Sequence, residues 1–164
     1  MKPSLEDEQS FFALTSGVFA GSSSSNLKIT DIDPRPSVDQ RGYRRSEGFG
    51  IKSQAVVEPE WSNHVGMLHG AACAWLVDTC TSAALVALHT ETFWGLPMLS
   101  GVSTSLETKF FHPVPVGTKI KVNCKVLQLT PVIGCIQCDI LNEDDRLLAI
   151  GYNTKTWRRM KSKL

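Results

Sequence analysis

Two kinds of apolar pattern run along the chain. From residue 99 to 111 apolar and polar positions alternate: Val102, Thr104, Leu106, Thr108 and Phe110 against Ser103, Ser105, Glu107 and Lys109. The same period recurs over 118–129, where Ile120, Val122, Cys124 and Val126 alternate with Lys119, Lys121, Asn123 and Lys125. A period of two predicts strands with one buried face. Residues 131–141 and 146–157 read as two more strands, joined by an acidic hairpin turn at 142–145. Upstream, 27–32 reads as a short strand, and 48–57 as a longer one stopped by Glu58-Pro59. The second pattern covers residues 69 to about 89. Ala, Leu, Cys and Trp fall on almost every side, with no Gly or Pro after Gly70. This predicts a helix buried all round. Strands, one long helix, then four consecutive strands make an α+β chain in which an antiparallel sheet wraps a central helix.

The first 46 residues differ in character. A short amphipathic helix is expected over 6–20, followed by a Ser-rich break at 21–25 and the first strand. The expected organisation is therefore an extension over 1–46, a main domain over 47–157 and a basic tail over 158–164.

A length of 164 residues accommodates one core of ordinary size. The formal net charge of +1 gives no field that would draw nucleic acid or an anionic membrane. No basic segment followed by an apolar stretch opens the chain, so no secretory signal is expected. The apolar run at 68–88 carries Asp78 in its middle, which disfavours a membrane span. Five cysteines are too few for a disulfide scaffold. Cys135 and Cys138 spell C-x-x-C, but positions three apart on a strand face opposite ways. Packing thiols are expected, and no metal site, because His64, His69, His89 and His112 form no ligand pattern.

Candidate chemistry gathers on the helix. Asp78 lies among Trp75, Leu76, Val77 and Cys80, where a charge is expensive unless it is paired or tuned for a task. A neighbouring loop that hydrogen-bonds it is an equally open reading. His69-Gly70 stands at the helix start, where backbone N–H groups lack internal partners and the helix dipole is positive. A glycine there lets a ligand oxygen approach, as an oxyanion site requires; a plain helix start is the alternative. Asn63, in the preceding loop, can donate to a carbonyl or orient a water. Gly70 and Asp78 are eight residues apart, roughly 12 Å along a helix. One carbonyl cannot touch both within one chain, so joint action calls for a second copy across a two-fold axis.

The run Asn63-His-Val-Gly-Met-Leu-His69-Gly70, then Asp78, then Gly101-Val-Ser103 resembles the hot-dog-fold acyl-CoA thioesterases of the phenylacetate-degradation type, within the 4-hydroxybenzoyl-CoA thioesterase-like superfamily. The likeness covers about two thirds of the chain. It implies a six-stranded antiparallel sheet around a long helix, in homodimers often paired into tetramers that share each active site. It also implies roles. Asn63 positions the thioester or water, the Gly70 N–H holds the oxyanion, and His69 shapes the helix start. Asp78 of the partner copy is general base or nucleophile, and Ser103 orients the attacking water. Such families often have a second glycine where this chain has Ala71, which keeps the N–H. The implied reaction is hydrolysis of an acyl-CoA to a free acid and coenzyme A, with no cofactor.

Trp61, Trp75, Phe93 and Trp94 are candidates to line an acyl pocket. Lys109 and Arg158, with the basic residues beyond it, are candidates for coenzyme A phosphates. Ser162-Lys163-Leu164 matches a peroxisomal address read by an import receptor; cytoplasmic location is the alternative. Two other functions stand beside the thioesterase: a hot-dog hydratase or dehydratase on enoyl or hydroxyacyl thioesters, and a non-catalytic acyl-thioester binder. The hydratase motif, an Asp two residues before Asn-Pro-x-His, is absent around Asn63.

Overall fold

The computed structural model describes Gln9 and residues 21–40, 42, 44, 46–88 and 100–157. Within them lie six strands: β1 (Lys28–Ile32), β2 (Gly50–Val56), β3 (Val102–Phe110), β4 (Lys119–Leu129), β5 (Ile133–Leu141) and β6 (Leu147–Thr156). A one-turn helix α1 (Gly21–Ser24) precedes β1, and the long helix α2 (Gly70–Val86) joins β2 to β3. The strands form one sheet in the order β1-β2-β4-β5-β6-β3, antiparallel throughout. The expected α+β architecture is thus the one observed. The helix expected over 6–20 lies outside the described residues, apart from Gln9.

Alternation does most of the folding work. Ile120, Val122, Cys124 and Val126 of β4 and Ile136, Cys138 and Ile140 of β5 are buried. They meet Leu76, Val77, Cys80, Ala83, Ala84 and Leu85 of α2 in one core. Each fully buried aliphatic side chain contributes about 1.5–3 kcal/mol. Leu27, Ile29 and Ile32, beside and within β1, join the same core. The Gln9 amide lies along β1, donating to Leu27 O and accepting from the Ile29 N–H, both at 2.8 Å. The sheet therefore continues into the segment before residue 47.

Helix α2 departs from burial on every side. Its C-terminal part is enclosed, but Gly70 and Ala71 are exposed and Asp78 is half-buried. The reason is β3, which lies at the sheet edge and is largely exposed in a single chain. On the other flank the helix presses hard against the sheet. A Cβ on Gly151 would meet Val77 Cγ2 at 2.5 Å, so only glycine allows α2 to lie this close to β6.

The thiols are free, and four of the five are buried. Cys138 faces Cys124 across the β4–β5 ladder, while Cys135 lies beside Thr154 on the opposite face. Burial pushes the Cys73 thiol up to about 12 and raises Cys80 well above its ordinary value. Burial thus makes Cys73 and Cys80 packing thiols, held in the protonated form. Among the described residues, no helix is long and apolar enough to cross a membrane.

Candidate active site

The start of α2 leaves the Gly70 N–H open at the cavity wall. His69 is the N-cap, in extended conformation, and its Nδ1 accepts the Ala71 N–H at 3.0 Å. The ring proton therefore lies on Nε2. With Ala71 satisfied, the Gly70 N–H is left with no acceptor among the described residues, at the positive end of the helix dipole. The loop before it is held by Asn63. Its Oδ1 accepts from the N–H groups of Val65 at 3.0 Å and Met67 at 3.1 Å. Its own N–H donates to Met67 O at 2.7 Å. The loop uses the acceptor of this amide, and Nδ2 meets no acceptor among the described residues. Asn63 and Gly70 line one cavity of about 510 Å³, whose other walls include Met67, Leu68, Phe110, Phe111 and Leu148.

Two turns along α2, Asp78 is gripped by three donors on a single oxygen. Ser103 Oγ donates to Oδ1 at 2.7 Å, Asn153 Nδ2 at 2.9 Å and Lys155 Nζ at 3.1 Å. Lys155 also donates to Ser103 Oγ at 2.8 Å. Burial alone would push the carboxyl up. The hydroxyl of Ser103, the charge and hydrogen bond of Lys155 and the Asn153 amide outweigh it, so Asp78 titrates below its ordinary value.

A bulge places Ser103 in this cluster. β3 and β6 pair Leu106 with Asn153, but the register shifts between Ser103 and Ser105, so Ser103 pairs with Lys155. Directly opposed residues share a face. Thr104 is the extra residue, and it turns Ser103 onto the helix side with Leu106 and Phe110. Strict alternation over 102–110, as read from the sequence, fails here: it set Ser103 on the opposite face. Gly101 anchors the bulge with φ 71°, and a Cβ there would meet Thr156 O at 2.6 Å.

A single chain thus holds two separate groups. Asn63 and Gly70 share a cavity wall; Asp78 and Ser103 share hydrogen bonds and are not on that wall. Trp61 and Trp75 pack edge-to-face at 5.4 Å in and against the core, away from the cavity lining. Lys109 is exposed and pairs with Glu107 at 3.2 Å. Phe93, Trp94, Arg158 and Ser162-Lys163-Leu164 lie outside the described residues. The sequence reading missed Asn153 and Lys155. Their signal was parity: they alternate with Thr154 on the face of Ala149, Gly151 and Trp157, so two polar residues occupy core positions of the last strand.

A profile described as the thioesterase superfamily matches residues 65–149. This chain belongs to the thioesterase superfamily. Human acyl-coenzyme A thioesterase 13 is 34% identical to it over 100 residues, 60% of this chain and 66% of the relative. The mouse protein of that name is 30% identical over the same share. The chain therefore spans just under two thirds of the length of these curated relatives. Among solved structures, zebra fish thioesterase superfamily member 2 superposes with a TM-score of 0.73 at 20% identity, over 94% of this chain and 99% of that one. The E. coli PaaI protein from the phenylacetic acid degradation operon gives 0.65 at 15% identity, over 93% and 97%. These likenesses establish the hot-dog fold. In this superfamily member Gly70, Asp78 and Ser103 lie inside the matched segment, whereas Asn63, Asn153 and Lys155 lie beyond its ends.

Proposed function

We propose that this protein hydrolyses acyl thioesters of coenzyme A at a site built from two copies of the chain. The observation that carries this reading is the complementarity of the two groups on α2. One chain offers an unclaimed Gly70 N–H beside a cavity. Some 12 Å away, by helix rise, it holds an ionised Asp78 in reserve. Setting two copies side by side brings each Asp78 to the other's Gly70. The exposed apolar side chains of Leu106 and Phe110, on one face of edge strand β3, supply the surface for that contact. Further pairing of dimers into tetramers is part of the same proposal.

In the reaction, the thioester carbonyl accepts from Gly70 N–H and Asn63 Nδ2. Water held near Ser103 attacks the carbonyl carbon and gives its proton to Asp78, or Asp78 attacks directly and water cleaves the resulting anhydride. The oxyanion forms at the helix start. The C–S bond breaks, the thiolate takes a proton, and acid and thiol leave. Coenzyme A as carrier is supported by the name of the relatives, acyl-coenzyme A thioesterase. The test is thiol release over a panel of acyl-CoAs. Hydration of an enoyl-CoA without thiol release would assign a hydratase instead, and tight binding with neither reaction would assign a binder.

Ser162-Lys163-Leu164 carries a separate proposal, peroxisomal import. A fluorescent protein extended by residues 158–164 should enter peroxisomes and, lacking the last three, remain cytosolic. Cytosolic signal from both would remove it.

A further inference from the structure

We propose that Lys155 is a positioning residue for hydrolysis: with Ser103 and Asn153 it pins Asp78 by Oδ1 alone and leaves Oδ2 as the reactive oxygen. This rests on the reading of Asp78 as base or nucleophile. The geometry is one-sided. Three donors converge on Oδ1 within 3.1 Å. None among the described residues reaches Oδ2, and the carboxylate side chain is still 45% exposed. Oδ2 is thereby left open on the exposed side of the carboxylate.

The surroundings make the arrangement expensive. The Lys155 side chain is only 4% exposed, and a buried ammonium is costly unless paired. An apolar side chain of similar length would fit a core position of β6 at least as well. Asn153 adds a second cost. Its Nδ2 faces both Asp78 Oδ1 and Thr81 Oγ1 at 2.9 Å, which fixes the amide's orientation. Its buried Oδ1 then has no partner among the described residues. Two buried polar side chains of β6 are thus committed to one oxygen of Asp78, one of them at the cost of an unpartnered amide oxygen.

The pairings explain how the aim is achieved. Lys155 lies opposite Ser103 across the bulge, so it steadies the donor as well as the acceptor. The groups facing Asp78 are Ser103 from β3, Asn153 and Lys155 from β6, and the hydroxyls of Thr81 and Ser82 on its own helix, which bond to the Asp78 backbone carbonyl. Lys155 is the one charged group among them. Without it the carboxylate is free to turn and binds its proton more readily.

The test uses Lys155→Met and Lys155→Gln in the full chain, with kcat, KM and the pH profile measured on an acyl-CoA that the wild type hydrolyses. Loss of aim should lower kcat about 10- to 100-fold, with KM nearly unchanged. The acid limb of the kcat profile should move to higher pH. In an Asp78→Asn background Lys155→Met should cost no further activity, since the lysine acts through Asp78. Wild-type kcat and an unmoved acid limb in whichever variant folds would overturn the proposal. So would a full additional loss in the Asp78→Asn background. The underlying reading fails differently: a folded Asp78→Asn protein would itself keep wild-type turnover.

Discussion

Two turns of α2 separate two opposite kinds of polar site. At Gly70 the backbone donor is exposed, at the helix start, and left without an acceptor by its neighbours. At Asp78 the acceptor is half-buried and gripped by three donors on one oxygen. In the proposed reaction the first group donates to a carbonyl oxygen, and the second is the carboxylate that meets a water or a carbonyl carbon. On the proposed reading, the contrast teaches that one chain carries both halves of a hydrolytic site and needs a second copy to close them on one substrate. The exposed edge strand β3 lies between the two halves: Ser103 points to Asp78, while Phe110 Cζ lies 3.4 Å from where a Cβ on Gly70 would stand.

The most severe way to break this contrast is to neutralise the acid half. Asp78→Asn should lower kcat about 10²–10⁴-fold. It should also lower the melting temperature, because the Lys155 ammonium is left buried against a neutral amide. Thiol-release kinetics and thermal unfolding, read together, separate the two effects. Turnover at the wild-type rate in the folded variant would take Asp78 out of the reaction.

The donor half can be broken almost as cleanly. Gly70 is the first helical residue, the one position where proline suits a helix. His69 already has φ −72° and ψ 142°, the conformation that a residue before proline prefers. Gly70→Pro should therefore keep α2 and delete only the N–H, lowering kcat about 10²–10³-fold. Gly70→Ala keeps the N–H, and its Cβ would make ordinary contact with Phe110 Cζ at 3.4 Å; it should remain within a few-fold of wild type. Equal losses in the two variants, with circular dichroism unchanged, would mean that the N–H is not the donor.

A gentler change sharpens the acid half. Ser103→Ala removes one of three donors from Asp78 Oδ1 and the proposed anchor for water. About a tenfold fall in kcat is expected with KM unaffected. The sign of the pH effect follows from the lowered pKa of Asp78. In the proposed mechanism the ionised form is the active one, so activity should be lost as pH falls through the folded-state value. Without Ser103 that value rises, so the acid limb should begin at higher pH. A change in KM alone would make Ser103 a binding residue.

Much of this was legible in the sequence, for reasons that differ by residue. Periodicity gave the strands and the buried helix because burial writes itself into alternation. It pointed to Asp78 as a charge in apolar company. It failed at Ser103, because a one-residue bulge at Thr104 reverses the face of everything before it. It also passed over Lys155 and Asn153. These occupy core positions of β6, and their partner lies 75 or more residues away in the chain. Only the close approach that Gly151 permits brings β6 and α2 together there.

The shared site is tested most directly by mixing Gly70→Pro protein, which has lost only its donor, with Asp78→Asn protein, which has lost only its acid. In a dimer formed from one of each, both defects fall in one composite site and the other is intact. Random exchange of equal amounts makes half the dimers mixed, so about a quarter of wild-type activity should return. If native mass spectrometry shows the mixed dimer formed and activity stays at the level of the two parents, each site lies within a single chain.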